Sequence, residues 1–278
     1  MRKVLLSFNS ERMSSFFTTE ISDPEFEFDG LRYITVKSNA LRRRADITLY
    51  VPTQSQDDSP LDMVILLHGV YGSHWAWTLT GGVHKTASQL IKQGQVRPMV
   101  LVMPSDGLYG DGSGYLKHQT EDYEKWIVED VITAVKEQVT RVNEKSRIFI
   151  TGLSMGGYGA LRLGAKYPTI FKSFSGLSSI TEFSQMALFL EGKDVTELSM
   201  SVMSKESVLE CMLANKERLP HFRFDCGTED LLIEFNRKLH GHLKANNIQH
   251  SYAEHPGGHQ WEYWKKHIED SLLFFNSF

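Results

Sequence analysis

Only two cysteines, Cys211 and Cys226, occur in the 278 residues. That is too few for a disulfide framework, so the expectation is free thiols in a reducing compartment. An excess of one charge sign is also missing. The chain has 30 Lys and Arg against 34 Asp and Glu, a formal net charge of −4, which argues against a nucleic-acid partner. Its one basic cluster, Arg42-Arg43-Arg44, is short and reads as a solvated turn before a strand. No apolar run approaches the length of a transmembrane helix. Residues 1–8 start like a leader peptide, but the apolar stretch breaks at Ser7 and residues 9–12 are polar, so no adequate hydrophobic region forms. A soluble, cytoplasmic protein is expected, with a mature secreted chain that has lost its leader as the alternative. There is no internal repeat and no low-complexity tract.

What the chain does contain is alternation. Two strands, 31–37 and 46–51, are expected to pair antiparallel at a sheet edge, within an edge region spanning 1–60. A polar loop follows at 54–60. Strands at 63–67, 99–104, 147–151, 171–175, 221–226 and 248–254 then alternate with helices near 83–93, 122–140, 155–166 and 231–244, and one from about 260. Between 123 and 139 the apolar residues at 123, 127, 131, 134 and 135 keep a helical period. Strands interleaved with helices predict a mostly parallel sheet with right-handed crossovers. The length suits one α/β domain with a sizeable core, spanning 1–278.

Gly152-Leu153-Ser154-Met155-Gly156 is the most informative stretch. A buried strand precedes this G-x-S-x-G and a helix follows it, the context of a serine on a sharp strand-to-helix turn. Glycines flank the serine because side chains there would clash with the neighbouring strand and helix. A hydroxyl is a weak nucleophile at neutral pH and needs a base, which in turn needs an orienting acid. On folds carrying such an elbow both follow the serine in the chain. His259, in Pro256-Gly257-Gly258-His259-Gln260-Trp261, sits on a loop between strand and helix and is the candidate base, with His255 its competitor. His240, His242 and His267 fall within helical patterns and read as solvated or packed histidines. The acid is sought in Asp225-Cys226-Gly227-Thr228-Glu229-Asp230. Asp225 falls inside the strand. Asp230, past the turn, is preferred, with Glu229 second; Asp230 also suits a helix N-cap. The backbone N–H of Met155, just after the nucleophile, is one donor of the oxyanion site. Cys226, without an elbow or base of its own, reads as core.

Four blocks carry a family resemblance. Leu67-His68-Gly69-Val70-Tyr71-Gly72, the elbow, Cys226-Gly227-Thr228-Glu229-Asp230 and Gly257-Gly258-His259-Gln260-Trp261 occur in this order across about 62–264. Together they resemble the esterase D-like family of α/β-hydrolases, which includes S-formylglutathione hydrolases, tributyrin esterases, feruloyl and acetylxylan esterases and mycolyltransferases. The resemblance implies an α/β-hydrolase fold, helices on both faces of a mostly parallel sheet, and a Ser154–Asp230–His259 triad. It also implies a second oxyanion donor directly after Gly69, at Val70, with Tyr71 next; His68 is expected to structure that loop. The implied activity is a serine carboxylesterase, on carbohydrate or phenolic esters among others, without metal or organic cofactor; a preference for short acyl groups is expected because neither 105–115 nor 180–219 carries a long apolar run. An S-formylglutathione thioesterase is the nearest alternative; an acyltransferase and an inactive binding module are more remote. The implied partner is a small-molecule ester, with neither nucleic acid nor membrane, and homo-oligomerisation is left open.

Two stretches outside the blocks are expected to shape the pocket. One is the glycine-rich segment 105–115, read as a flexible loop; it lacks phosphate-loop spacing, and calcium at Asp106 and Asp111 is a weak alternative. The other is an insertion at 180–219 containing Met186, Met200, Met203 and Met212, read equally as a small helical cap or as ordinary helix packing. Tyr71, Trp75, Tyr109 and Trp261, together with Trp77, are candidates to line the substrate pocket.

Overall fold

A computed structural model describes residues 14–53, 58–107, 110–190 and 206–278. Nine strands make one sheet: β1 (Thr19–Ile21), β2 (Leu31–Lys37), β3 (Arg44–Tyr50), β4 (Asp62–Leu67), β5 (Met99–Pro104), β6 (Ile148–Gly152), β7 (Phe171–Leu177), β8 (His221–Gly227) and β9 (Ser251–His255). Their order is β1-β2-β3-β5-β4-β6-β7-β8-β9. The first three strands and the β3–β5 pair are antiparallel. From β5 to β9 every pairing is parallel. Every residue of β4, β5 and β6 is buried. That explains their largely apolar sequence, broken only by Asp62 at the start of β4 and Thr151 in β6, since a central parallel strand is covered on both faces.

Alternate residues of the central strands feed two cores, as a period of two requires. Met63, Ile65 and Leu67 join one core with Tyr158, Leu161 and Met212. Val64 and Leu66 join the other with Val83, Leu90, Ile268 and Phe275. Helices α1 (Val83–Lys92) and α7 (Trp261–Asn276) supply the second core. On the first face lie α2 (Tyr123–Lys125), α3 (Ile132–Gln138), α4 (Met155–Lys166), α5 (Val208–Ala214) and α6 (Ile233–Ala245). This is the expected α/β-hydrolase architecture.

Several boundaries differ from the sequence reading. The strand expected at 46–51 begins at Arg44, because its partner β2 extends to Lys37, opposite it. The strand expected from 248 begins at Ser251, since Ile248 closes the turn after α6 by donating its N–H to the Leu243 carbonyl. The helix expected near 122–140 is split by a π-helical stretch, Trp126–Val131. Within it, buried Asp130 accepts from Ser38 Oγ at 2.6 Å and Ala40 N–H at 3.0 Å. An apolar period cannot register that inward-facing carboxylate. Only part of the basic cluster is a solvated turn. Arg42 has φ +57°, but Arg43 folds back to pair with Glu121 at 2.7 Å.

The parallel half places the site. From β4 the chain runs out to β5 on one side, then returns to β6 on the other. Carboxyl ends of strands at such a reversal frame a crevice in open α/β sheets. The loops after β4 and β6, carrying His68–Gly72 and Ser154, meet there. No helix among the described residues is long and apolar enough to cross a membrane.

Candidate active site

Ser154 sits between β6 and α4 with φ +54° and ψ −118°, a costly conformation for a non-glycine residue. Neighbouring contacts hold it. Its N–H donates to the Leu177 carbonyl at 3.0 Å, and its own carbonyl accepts from Tyr158 N–H at 3.1 Å. The two flanking glycines are required by proximity. A Cβ on Gly152 would collide with the Gly156 carbonyl, and one on Gly156 with the Leu67 and His68 carbonyls. The sharp turn stands Ser154 at the sheet edge, facing the loop after β4.

The three residues singled out from the sequence come together. His259 Nε2 lies 3.0 Å from Ser154 Oγ, and His259 Nδ1 lies 2.9 and 3.1 Å from the Asp230 carboxylate oxygens. Facing a carboxylate, Nδ1 carries the proton, which leaves Nε2 free to accept from the serine hydroxyl. Asp230 is buried, and its Oδ1 also accepts Leu232 N–H at 2.9 Å. This bond closes a turn two residues long; the helix that follows has Leu232 at its N-cap and no side-chain cap, so Asp230 does not cap it as the sequence suggested.

The competing candidates lie elsewhere. Glu229 is exposed, and its N–H donates to the Gly257 carbonyl. Asp225 lies within β8, accepts from Tyr263 OH at 2.8 Å and pairs with Arg223 at 3.0 Å; burial pushes its carboxyl up. His255 ends β9, stacked on His267 with ring centres 4.1 Å apart. His240 stacks on Tyr252. His68 structures its loop: Nδ1 donates to the Gly69 carbonyl at 2.7 Å and Nε2 accepts Asp106 N–H at 3.2 Å. Both cysteines are buried and free. Burial first, then the Asp230 and Asp225 carboxylates, push the Cys226 thiol far up, which removes it as a nucleophile.

The loop after β4 approaches the serine closely, since a Cβ on Gly69 would lie 3.4 Å from that of Ser154. Tyr71 N–H is engaged by the Asp111 carbonyl at 3.0 Å, whereas the N–H groups of Val70 and Met155 meet no backbone acceptor among the described residues.

A cavity of about 270 Å³ opens beside Ser154 and His259, walled by Tyr71, Trp75, Leu153, Phe189, Trp261 and Trp264. No Asp, Glu, Lys or Arg lines it among the described residues. Tyr71, Trp75 and Trp261, singled out from the sequence, are among its walls. Trp77 is not: it is buried in the core, donates from Nε1 to the Leu67 carbonyl at 3.0 Å and backs the pocket wall through an edge contact with Trp261. Tyr109 lies outside the described residues. A second hollow of about 310 Å³, beneath residues 181–184 and α6, contains neither Ser154 nor His259.

The described part of the glycine-rich segment is packed rather than open. Ser113 N–H donates to Asp106 Oδ2 at 2.9 Å, and Tyr115 OH donates to the His68 carbonyl at 3.0 Å. It props the loop after β4 from below. Within the insertion, α5 packs against α4, and Met186 and Met212 are core. Met200 and Met203 lie outside the described residues. Sequence reasoning missed Phe189 and Trp264. Trp264 follows Trp261 by one helical turn and was accessible to a periodicity argument. Phe189 reaches the site only through tertiary folding.

Among the described residues one group, His255, His267 and Asp270, brings three ligand-type atoms within 4.8 Å of one another. The two imidazole planes lie 12° apart in a stack. An ion bound to one ring in its plane thus lies well outside the plane of the other, and the group reads as packed side chains.

The sheet, the strained serine at a strand-to-helix turn and the Ser–His–Asp contacts define an α/β-hydrolase. Residues 38–275 match the family described as "Putative esterase", and the chain belongs to it; the chain is a carboxylesterase. An acetyl esterase of Caldicellulosiruptor saccharolyticus is 27% identical over 264 residues, 86% of this chain and 95% of the relative. Two solved structures share the fold. A ferulic acid esterase aligns with a TM-score of 0.78 at 21% identity, over 95% of this chain and 99% of its own. An S-formylglutathione hydrolase from Agrobacterium tumefaciens aligns with a TM-score of 0.74 at 22% identity, over 94% and 98%.

Proposed function

We propose that the chain is a single-domain serine esterase that removes short acyl groups from small, uncharged alcohols through an acyl-enzyme. The observation carrying this is the unbroken relay Asp230–His259–Ser154, with contacts of 2.9 and 3.0 Å. Ser154 Oγ attacks the ester carbonyl while His259 Nε2 takes its proton. The same proton then goes to the departing alkoxide, freeing the alcohol. Asp230 holds the tautomer and stabilises the imidazolium. Negative charge on the carbonyl oxygen is met by the N–H groups of Met155 and Val70, neither of which meets a backbone acceptor among the described residues. Tyr71 N–H, already engaged, is the weaker choice. Water activated by His259 then releases the acid and restores Ser154.

The pocket supports the substrate class. At about 270 Å³ it falls just below the usual range of ligand cavities, about 300–1,000 Å³. Its aromatic walls and lack of charged side chains suit an acetyl to butyryl ester of a neutral alcohol. Among the described residues they give no receptor for the charged groups of a glutathione thioester. The acetyl esterase relative points the same way. On this reading the 180–219 insertion shapes the pocket through Phe189.

A series of p-nitrophenyl esters tests the class, extended with a feruloyl ester, acetylated xylan and S-formylglutathione. The highest kcat/KM is expected between acetyl and butyryl. Each methylene in a pocket is worth about 1–3 kcal/mol, so activity should decline over several chain lengths. A maximum at palmitoyl, or on S-formylglutathione, would contradict the assignment.

A further inference from the structure

The His259 imidazole is held by more than its two hydrogen-bond partners. Phe189 lies over one face, ring centres 4.6 Å apart and planes 30° apart. Trp264 meets the imidazole edge-on at 5.0 Å and 89°. Phe189 is itself anchored, its carbonyl accepting from Tyr71 OH at 3.2 Å. One residue of the insertion is thereby tied to the loop that faces Ser154.

We infer that Phe189 is a positioning residue, holding the plane of the His259 imidazole for proton transfer; this rests on the reading of Ser154, His259 and Asp230 given above. Hydrogen bonds at Nδ1 and Nε2 fix two ends of the ring but not its roll about the line joining them. The backbone gives little help, because Gly257 and Gly258 immediately precede His259, and Gly257 has φ +132°. An aromatic ring against one face and an indole against the ring set that roll. The Phe189 π-face also favours the imidazolium that forms when Ser154 gives up its proton. Phe189 forms no bond to substrate and transfers no proton.

The test compares Phe189→Ala, Phe189→Leu, Phe189→Tyr and Phe189→Trp by kcat on p-nitrophenyl acetate, with thermal midpoints to show that each variant is folded. An aromatic contact of this kind predicts that Ala and Leu lower kcat about 3- to 30-fold, while Tyr and Trp stay within about 2-fold. Leucine fills the space without offering a π-face, so it separates stacking from packing. A second readout needs no turnover. The His259 Nδ1–H proton, held by Asp230, should give a sharp downfield NMR signal in the wild type and a broadened one in Phe189→Ala. Wild-type kcat in Phe189→Leu, or an unchanged signal in Phe189→Ala, overturns the inference while leaving the Ser154 reading intact. Full activity in Ser154→Ala would overturn both.

Discussion

Ser154→Ala is expected to abolish esterase activity while leaving the fold intact. Loss of the triad serine costs about 10⁶-fold in kcat in a serine protease, and a loss of at least about 10⁴-fold is expected here. The methyl group of alanine sits where Ser154 Cβ already sits. The contacts holding the turn are backbone ones, from Ser154 N–H to Leu177 and from Tyr158 N–H to the Ser154 carbonyl, and they survive the substitution. Removing the hydroxyl takes away the nucleophile and one end of the His259 relay. Buried Cys226, with its thiol pushed far up, cannot serve. Circular dichroism and thermal midpoint should match the wild type while p-nitrophenyl acetate hydrolysis falls to background. Activity within tenfold of wild type would place the nucleophile elsewhere.

The second large effect separates two adjacent acids. Asp230→Asn should lower kcat by about 10³- to 10⁴-fold, because an amide donating toward Nδ1 favours the wrong imidazole tautomer. The substitution keeps shape, and Asn can still accept Leu232 N–H through its side-chain oxygen, so the turn should persist. Glu229→Gln should change kcat by less than about 2-fold, because the Glu229 side chain is exposed and a surface change of this kind acts weakly. Steady-state kinetics on the two purified variants decide the matter. A mild Asp230→Asn beside a crippled Glu229→Gln would mean that the loop after β8 is organised differently.

The parts of the protein governed by local rules were legible in the sequence. The elbow could be read because close packing leaves no alternative to glycine at 152 and 156. Buried parallel strands such as β4 and β5 carry largely apolar runs, so their centres were found within a residue. Edges were harder. In β9 no residue is fully buried, so hydrophobicity gave little guidance to its start. The π-helical stretch at Trp126–Val131 depends on a buried carboxylate whose partners, Ser38 and Ala40, lie about 90 residues away in the chain. Phe189 illustrates the same limit at the site. A phenylalanine in an insertion without a motif carries no local mark of stacking on His259; only the fold brings the two together. Trp77 shows the converse error. Two positions from Trp75, it points into the core, and sequence proximity to an active-site loop did not reveal that.

The central claim is that Ser154 is an activated nucleophile. A fluorophosphonate should react with the folded protein to give one covalent adduct per chain. Intact mass and peptide mapping should place it on the peptide containing Gly152-Leu153-Ser154-Met155-Gly156, with no adduct formed after denaturation. Absence of any adduct on the folded, active enzyme, or an adduct mapping to another residue, would contradict the account.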